Sequence, residues 1–475
     1  MNGWYLYQTL SSRIMAKAGY YQVSGAFGYR DQLQDSMNIS FIKPDLSRKQ
    51  LIINASHQFM EGDVLHWWHE QNHFGLRSRY KDDFLWLVYA TVEYVQTTGD
   101  YAVLDEQIPF VKAPKLESYQ HELGVVFEYT EEKKSLLDHC ILSIEYSKSQ
   151  LGSHGIPLMG GGDWNDGMNL VGIKGKGESV WLGFFLYNII DRFIELLEKL
   201  NMDTSSYVSF NKKLKKSLNE NTWDGDYYLR AFFDNGDPLG SHLNDECKID
   251  LISQSFSILS DVVPNSKKEQ VIGSVEKNLV DKENNIIKLL DPPFEKSKNN
   301  PGYIMNYPKG IRENGGQYTH STSWYIMALI KAGLYDKAYE YYQMINPVNR
   351  TLTKDGVLKY KVEPYVIAAD IYSNEKYPGH GGWTWYTGSS GWFYKVGIKH
   401  ILGIHKFGDK LEIKPGVPSS INNYVVDYKY MDTNYNITVN ITDFESIIYD
   451  DKEVSEIKLV NDMKDHIIVV NKKRV

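Results

Sequence analysis

Cysteine is scarce. Cys140 and Cys247 are the only two in 475 residues, and they stand in neither CxxC nor Cys/His spacing. That excludes a disulfide framework and a thiolate zinc module. Long apolar runs are missing too: nothing approaches the roughly 18 consecutive apolar residues of a membrane span. The opening Met1-Asn2-Gly3-Trp4-Tyr5 lacks a basic segment, and Arg13 and Lys17 interrupt the apolar residues behind it, so no secretory signal is read. Positive charge is nowhere concentrated. The 52 basic and 60 acidic residues are spread along the chain for a net charge of −8, which argues against a nucleic-acid partner. No internal repeat or low-complexity segment stands out. These absences lead to the expectation of a soluble, cytoplasmic protein with no membrane partner. The length suggests about two or three domains, and 42% hydrophobic with 24% charged residues gives ample material for a large core.

Aromatics are what the chain has in excess: Trp 11, Tyr 35 and Phe 18 make 13% of it. Tyr and Trp join an apolar face to a polar handle, which suits the CH-rich faces and hydroxyl rims of sugars. Most belong to a core. The informative ones sit in Gly-rich polar segments: Trp67-Trp68, Trp164 and Trp383-Thr384-Trp385-Tyr386.

From the start to about residue 400, apolar residues recur at helical spacing. The spacing predicts helices over Trp4–Ala18, Asp83–Thr97, Val180–Leu200, Ile249–Leu259, Ser323–Ala332 and Gly388–Leu402. Several are apolar nearly all round and are expected between other helices. After Ile401 the period changes to two, in Lys410–Pro415, Tyr435–Ile441 and Glu456–Val460, which predicts antiparallel strands. The expected division is therefore a helical domain over 1–400 and a small β-domain over 401–475. Motif-bearing segments fall between helices, which suits a helical toroid with its site at one end.

The densest motif is Gly161-Gly162-Asp163-Trp164-Asn165-Asp166-Gly167-Met168-Asn169. An acid beside a large aromatic, between glycines, is what protonation of a sugar leaving group requires, because an apolar ring face keeps the proton on near neutral pH. Asn, Asp and Gly also form ordinary surface turns, so the motif alone leaves both readings open. Gly28-Tyr29-Arg30-Asp31-Gln32-Leu33-Gln34-Asp35 offers a five-donor guanidinium for phosphate or paired hydroxyls, or simply a helix start with an acidic first turn. His66 and His69, with Glu61 or Asp63, have metal-ligand residue types, but two tryptophans separate the histidines and HExxH is absent. No metal is expected; a loop lining a sugar cleft, or plain packing, fits better. Arg312-Glu313-Asn314-Gly315-Gly316-Gln317-Tyr318-Thr319-His320 again gathers hydrogen-bonding groups, and His320 is a candidate to meet an anion as imidazolium. Gly381-Gly382-Trp383-Thr384-Trp385-Tyr386-Thr387-Gly388-Ser389-Ser390-Gly391 leads into the last helix with hydroxyls and flexible N–H groups. It lacks the lysine of a nucleotide-binding loop, so ATP is not expected.

These blocks, in this order, resemble the inverting phosphorylases of glycoside hydrolase family 94, which include cellobiose, cellodextrin, laminaribiose and chitobiose phosphorylases and the C-terminal part of cyclic β-1,2-glucan synthases. The resemblance runs from Trp4-Tyr5-Leu6-Tyr7-Gln8 through Asp250 and Gly302-Tyr303 to Ile413-Lys414-Pro415. It implies a mainly α protein, an (α/α)6 barrel followed by a small antiparallel β-sandwich of jelly-roll type. It further implies a glycosyltransferase of the phosphorylase type, with Asp163 as general acid and Trp164 beside it. Arg13, Arg30, Asp31 and Glu313 would bind sugar, and Arg30, His320, Thr387 and Gly388 would cradle phosphate. Inorganic phosphate would be co-substrate, with no cofactor.

Family members carry an N-terminal β-sandwich and a helical linker before the barrel, and this chain opens at the barrel's first helix. The expectation is a fragment, a truncated gene or half of a split protein, forming a homodimer or joining a separate β-sandwich domain. Gly379-His380-Gly381-Gly382 stands where many members read Gly-Arg-Gly-Gly. The alternatives are an inverting glycosidase using Asp31, Asp35 or Glu61 as base, or a non-catalytic glycan-binding remnant of a larger synthase or phosphorylase.

Overall fold

The computed structural model describes residues 2–16 and 25–474. Six helices form the interior: α1 (Tyr29–Asn38), α2 (Asp83–Thr98), α3 (Val180–Lys199), α4 (Leu251–Leu259), α5 (Thr319–Lys331) and α6 (Ser389–Lys395). Each packs on the next, and α6 returns to α1. Between them in sequence lie more polar helices, Pro44–Ala55, Leu136–Lys148, Ser205–Asn221, Asn265–Leu279 and Tyr335–Ile345, each turning one stripe inward.

Local chemistry fixes where these helices start and stop. Asp250 caps α4 by accepting from Ile252 N at 3.0 Å, and Ser179 caps α3 through Leu182 N at 3.1 Å. Gly99, at φ +75°, closes α2 in the left-handed conformation that glycine adopts without strain. The interior is an aromatic plug. Trp86 of α2 lies 4.4 Å from Phe185 of α3 and 6.3 Å from Trp324 of α5, and Trp324 meets Phe256 of α4 at 4.9 Å and Trp392 of α6 at 5.7 Å. The all-round apolar character of α2 is thereby accounted for.

Three features differ from the sequence expectations. The segment Leu65–His69, read as a loop, is a strand (β2), paired with β1 (Phe27–Gly28) and β3 (Phe74–Ser78); β3 also pairs with β4 (Glu122–Val126). Both terminal turns of the helical region widen into π-helix, at Gln8–Ile14 after the first helix and Val396–Ile401 after α6. The C-terminal end expected for the first helix, near Ala18, lies outside the described residues.

The third difference concerns the terminal sheets. β5 (Ile404–Phe407), β6 (Lys410–Ile413) and β11 (Ile457–Lys458) form one sheet. β7 (Asn423–Tyr430), β8 (Thr433–Thr442), β12 (Asp465–Lys473), β9 (Ser446–Tyr449) and β10 (Lys452–Val454) form the other, in that spatial order. They enclose a core of their own around Tyr435, Ile437, Val439, Ile468 and Val470. The expected antiparallel arrangement fails at one central pair, because β8 and β12 run parallel. The intervening chain visits β9, β10 and β11 before returning, and a long connection of this kind permits parallel pairing. Among the described residues no helix is long and apolar enough to cross a membrane.

Candidate active site

The N-terminal ends of α1, α5 and α6 meet at one cavity, and that of α2 stands behind it. Arg30 and Asp31 open α1, His320 lies in the first turn of α5, and Gly388 precedes α6; all four line one cavity of about 220 Å³. Asp82 and Asp83, at the start of α2, reach Arg30 at 2.9 and 3.8 Å. Converging helix N-termini supply partial positive charge to this end of the molecule, in keeping with the acidic side chains at their starts.

Of the expected site residues, Arg13, Arg30, Asp31, Trp164, Glu313, His320, Thr387 and Gly388 all line the cavity. Asp163, expected as the proton donor, does not. Its carboxylate is fully buried and gripped by Arg230, Nη1 to Oδ2 at 2.7 Å and Nη2 to Oδ1 at 2.6 Å, and the Ser179 hydroxyl donates to it at 2.6 Å. The cause is the turn before it. Gly162, at φ +142°, passes so close beneath Tyr80 that a Cβ would stand 2.5 Å from the ring, and the chain sends Asp163 inward and Asp166 outward. Asp166 opens a one-turn 3-10 helix (Asp166–Met168), is about one-third exposed, lines the cavity, and accepts from Arg30 Nη2 at 2.5 Å. The acid that reaches the cavity is the second of the motif.

Arg30 is the hub of this wall. Besides Asp166, Nη1 donates to both oxygens of the buried Asp82, at 2.9 and 3.2 Å, and to the Asp163 carbonyl at 3.1 Å. Burial pushes Asp82 up to about 7, against the pull of Arg30. His66 joins the lining from β2, stacked on Tyr80 at 4.4 Å and bonded through Nδ1 to Asp83 at 2.7 Å. Its burial disfavours the charged ring, but Asp83 outweighs this and raises it to about 9. Glu61 and Asp63, weighed with it as ligands, are held by Arg77 at 3.0 and 2.6 Å.

Arg13 occupies a second wall. It bonds Asp35 at 2.6 Å and Asp31 at 2.8 Å and lies over the Tyr386 ring at 4.3 Å. Burial would raise Asp31, which faces the cavity, but Arg13 and Arg30 hold it down at about 2, whereas the deeper Asp35 is pushed by burial up to about 7. Arg13 was expected on the sugar side; it also stands beside Gly388, where a Cβ would lie 3.9 Å from its Nη2. His320 differs from the imidazolium expectation. Burial, and then Arg13, hold it well below the usual histidine range, so the ring is neutral. Of the two amides expected to cradle an anion, Thr387 N already donates to the Trp385 carbonyl at 3.1 Å.

A third wall carries Glu313, whose carboxylate is raised by burial despite Arg312 at 3.3 Å. Arg312 itself is left-handed at φ +52° and sits between the Tyr307 and Trp383 rings, 4.8 Å from each. Non-glycine residues in that conformation persist only where surroundings hold them. Arg312, Tyr303, Tyr318 and Tyr386 line the cavity and were given no site role from sequence. Arg312 and Tyr318 lie inside a motif quoted above, Tyr386 belongs to an aromatic cluster named there, and Tyr303 was quoted with Gly302, so their signal was membership of a motif and not a role. His380, at the expected Arg position, packs on Tyr372 at 5.1 Å and is not among the lining residues.

Residues 1–403 match the profile of the glycosyl hydrolase 94 superfamily, catalytic domain. The chain belongs to that family. Family-94 relatives include the cyclic beta-(1,2)-glucan synthase NdvB of Rhizobium meliloti, 42% identical over 93% of this chain and 16% of that protein. Solabiose phosphorylase of Paenibacillus borealis is 29% identical over 92% of this chain and 53% of that protein. The chain thus spans a small part of the synthase and about half of the phosphorylase. Among solved structures, the GH63 mannosylglycerate hydrolase from Thermus thermophilus, in complex with glucose, superposes with a TM-score of 0.53 at 9% identity, covering 83% of this chain and 98% of that one. That likeness shows a shared helical fold. The cavity lies inside the residues of the family-94 domain, and the C-terminal sheets from β5 onward lie beyond them.

Proposed function

We propose that this chain is an inverting glycoside phosphorylase, cleaving a β-linked gluco-oligosaccharide with inorganic phosphate to an α-sugar 1-phosphate and a shortened saccharide. The observation that carries this reading is the composition of one cavity: a partly open acid, Asp166, with three arginines, Arg13, Arg30 and Arg312, a neutral histidine and a glycine at a helix start. Asp31 and Asp166 each pair with an arginine, at 2.8 and 2.5 Å, and Glu313 is the most enclosed of the three lining carboxylates; of the two acids in the Gly161–Asn169 loop, Asp166 is the one that lines the cavity. Asp166 is therefore assigned as general acid in place of Asp163, with Trp164 beside it forming the sugar platform.

Asp166 protonates the glycosidic oxygen while a phosphate oxygen attacks the anomeric carbon from the opposite face. An inverting hydrolase would need a further carboxylate to activate water. All three lining carboxylates here face an arginine within 3.3 Å, and of the alternative bases Asp35 is buried on Arg13 and Glu61 is bonded to Arg77. Phosphate arrives already anionic and needs positioning and charge neutralisation. Arg13, Arg30, His320 and the Gly388 amide serve that end, while Asp31, Glu313 and Trp164 hold sugar.

The closed packing order of α1 to α6, with a more polar helix before or after each, supports an (α/α)6 toroid, with the β-sandwich from about residue 401 as a second domain. Oligosaccharide and phosphate are the proposed ligands, the cytoplasm the proposed compartment, and a homodimer or a separate N-terminal β-sandwich domain the proposed protein partner. β-1,2-Linked glucose oligomers come first as substrates, given the synthase relative. Incubating the chain with such oligomers, with and without phosphate, and following products by phosphorus NMR tests the reading. An α-sugar 1-phosphate appearing only with phosphate is the expected result; free sugar released equally without phosphate would replace phosphorolysis by hydrolysis.

A further inference from the structure

The hydrogen-bonding polarity of His320 is fixed from behind. Trp392 Nε1–H can only donate, and it lies 3.0 Å from Gln34 Oε1, so that end of the amide is the oxygen. His320 Nε2 is 2.9 Å from the same oxygen and must therefore carry its hydrogen. Gln34 is buried at 1% exposure. Nδ1 is then the nitrogen whose state matters. It faces Gly388, where a Cβ would stand 3.2 Å from Nδ1 and 3.9 Å from Arg13 Nη2. The charged groups facing the ring are Arg13, Arg30 and Asp31, and burial with Arg13 keeps it neutral. Nδ1 thus presents a lone pair to the space beside Gly388, next to a guanidinium.

We propose that this corner of the cavity recognises a protonated oxyanion: His320 Nδ1 accepts from the P–OH of hydrogenphosphate, Arg13 takes a charged oxygen, and Gln34 is the positioning residue that sets this polarity. The inference rests on the phosphorolytic reading above and adds a selectivity to it. Phosphate and arsenate carry an O–H near neutral pH; sulfate carries none and brings only lone pairs against a lone pair, a mismatch that leaves a buried acceptor unmet. The arrangement also assigns protons in the reaction. The P–OH proton stays on the oxygen facing His320, and a deprotonated oxygen forms the bond to the anomeric carbon. The glycosidic C–O bond breaks with its electron pair on the leaving oxygen, which takes the Asp166 proton. The products are the singly protonated sugar 1-phosphate, the shortened saccharide and the Asp166 carboxylate.

Calorimetric binding of phosphate, arsenate and sulfate at pH 7.5, on the full chain and on Gln34→Glu, tests this. The wild type is expected to bind phosphate and arsenate alike and sulfate at least roughly tenfold more weakly. In Gln34→Glu the carboxylate accepts from both Trp392 and His320 and favours the imidazolium, so the sulfate gap should close and the pH profile of the phosphate KM should move upward. Equal sulfate and phosphate affinity in the wild type overturns the inference and leaves the phosphorolytic reading standing. Failure to bind any of the three anions overturns both. Should Gln34→Glu not fold, nitrogen-15 NMR of wild-type His320, assigned by its loss in His320→Gln, gives a second readout: an unprotonated Nδ1 is expected, and an imidazolium overturns the proposal.

Discussion

Two arginines divide the acids of the Gly161–Asn169 loop between them, and the two acids should respond differently to removal. Asp163 neutralises Arg230, whose other acidic neighbour, Asp250, stands at 3.4 Å. Asp163→Ala strands a buried guanidinium and is expected to cost about 3–5 kcal/mol, visible as a lowered denaturant midpoint. Asp166→Asn, partly open to the cavity, should leave the unfolding free energy within about 0.5 kcal/mol of wild type while removing turnover. Equal destabilisation by both would undo the division of roles. Sequence spacing brought Asp163, Trp164 and Asp166 into one motif but could not say which acid faces in. That is decided by Arg230, far along the chain and in no motif, and by the tight passage of Gly162 under Tyr80. Gln34 was legible as a polar residue in a quoted cluster; its grip on His320 depends on Trp392 and was not.

Among the elements, α2 ties packing to the site. Trp86 fills the aromatic plug and donates Nε1–H to Asp82 at 3.0 Å, and Asp82 in turn holds Arg30. Trp86→Ala should cost about 3–5 kcal/mol, measured by denaturant unfolding; a loss below about 1 kcal/mol would mean that the plug is not the core. The strand β2 contributes through His66. Because its folded value, about 9, lies above its ordinary one, the folded state holds a proton that the unfolded chain gives up. The His66–Asp83 contribution is therefore complete below about pH 6.5 and is lost as pH rises through about 9, at on the order of 1 kcal/mol per unit crossed. Lys395, lowered to about 7 by burial, shifts stability the opposite way over part of that range, so the measurement is the difference between wild type and His66→Phe. Unfolding free energies that run parallel from pH 6.5 to 9.5 would contradict the assignment. The long interior helices were legible because their apolar period is sustained. The short strands β1 to β4 were not, since five residues such as Leu65–His69 give period two too little length to declare itself among aromatics. The π-helical turns left no mark in residue type.

At the scale of the molecule, helices followed by a β-domain could be read from the change of period after Ile401, while the parallel pairing of β8 with β12 could not, because strand direction depends on the route of the connection. The starts of α1, α5 and α6 line one cavity, with the start of α2 bonded to Arg30 behind it, which explains why motifs scattered from Arg13 to Gly388 come together. This arrangement also makes the central claim testable on the chain as it stands: one acid and one anion corner suffice for phosphorolysis. The most direct measurement is phosphate release from α-glucose 1-phosphate in the presence of glucose and β-1,2-linked gluco-oligosaccharide acceptors, by wild type and Asp166→Asn side by side. The account predicts acceptor-dependent release by the wild type and a loss of at least about 100-fold in the variant. Near-equal rates in the two, or release that ignores the acceptor, would contradict it.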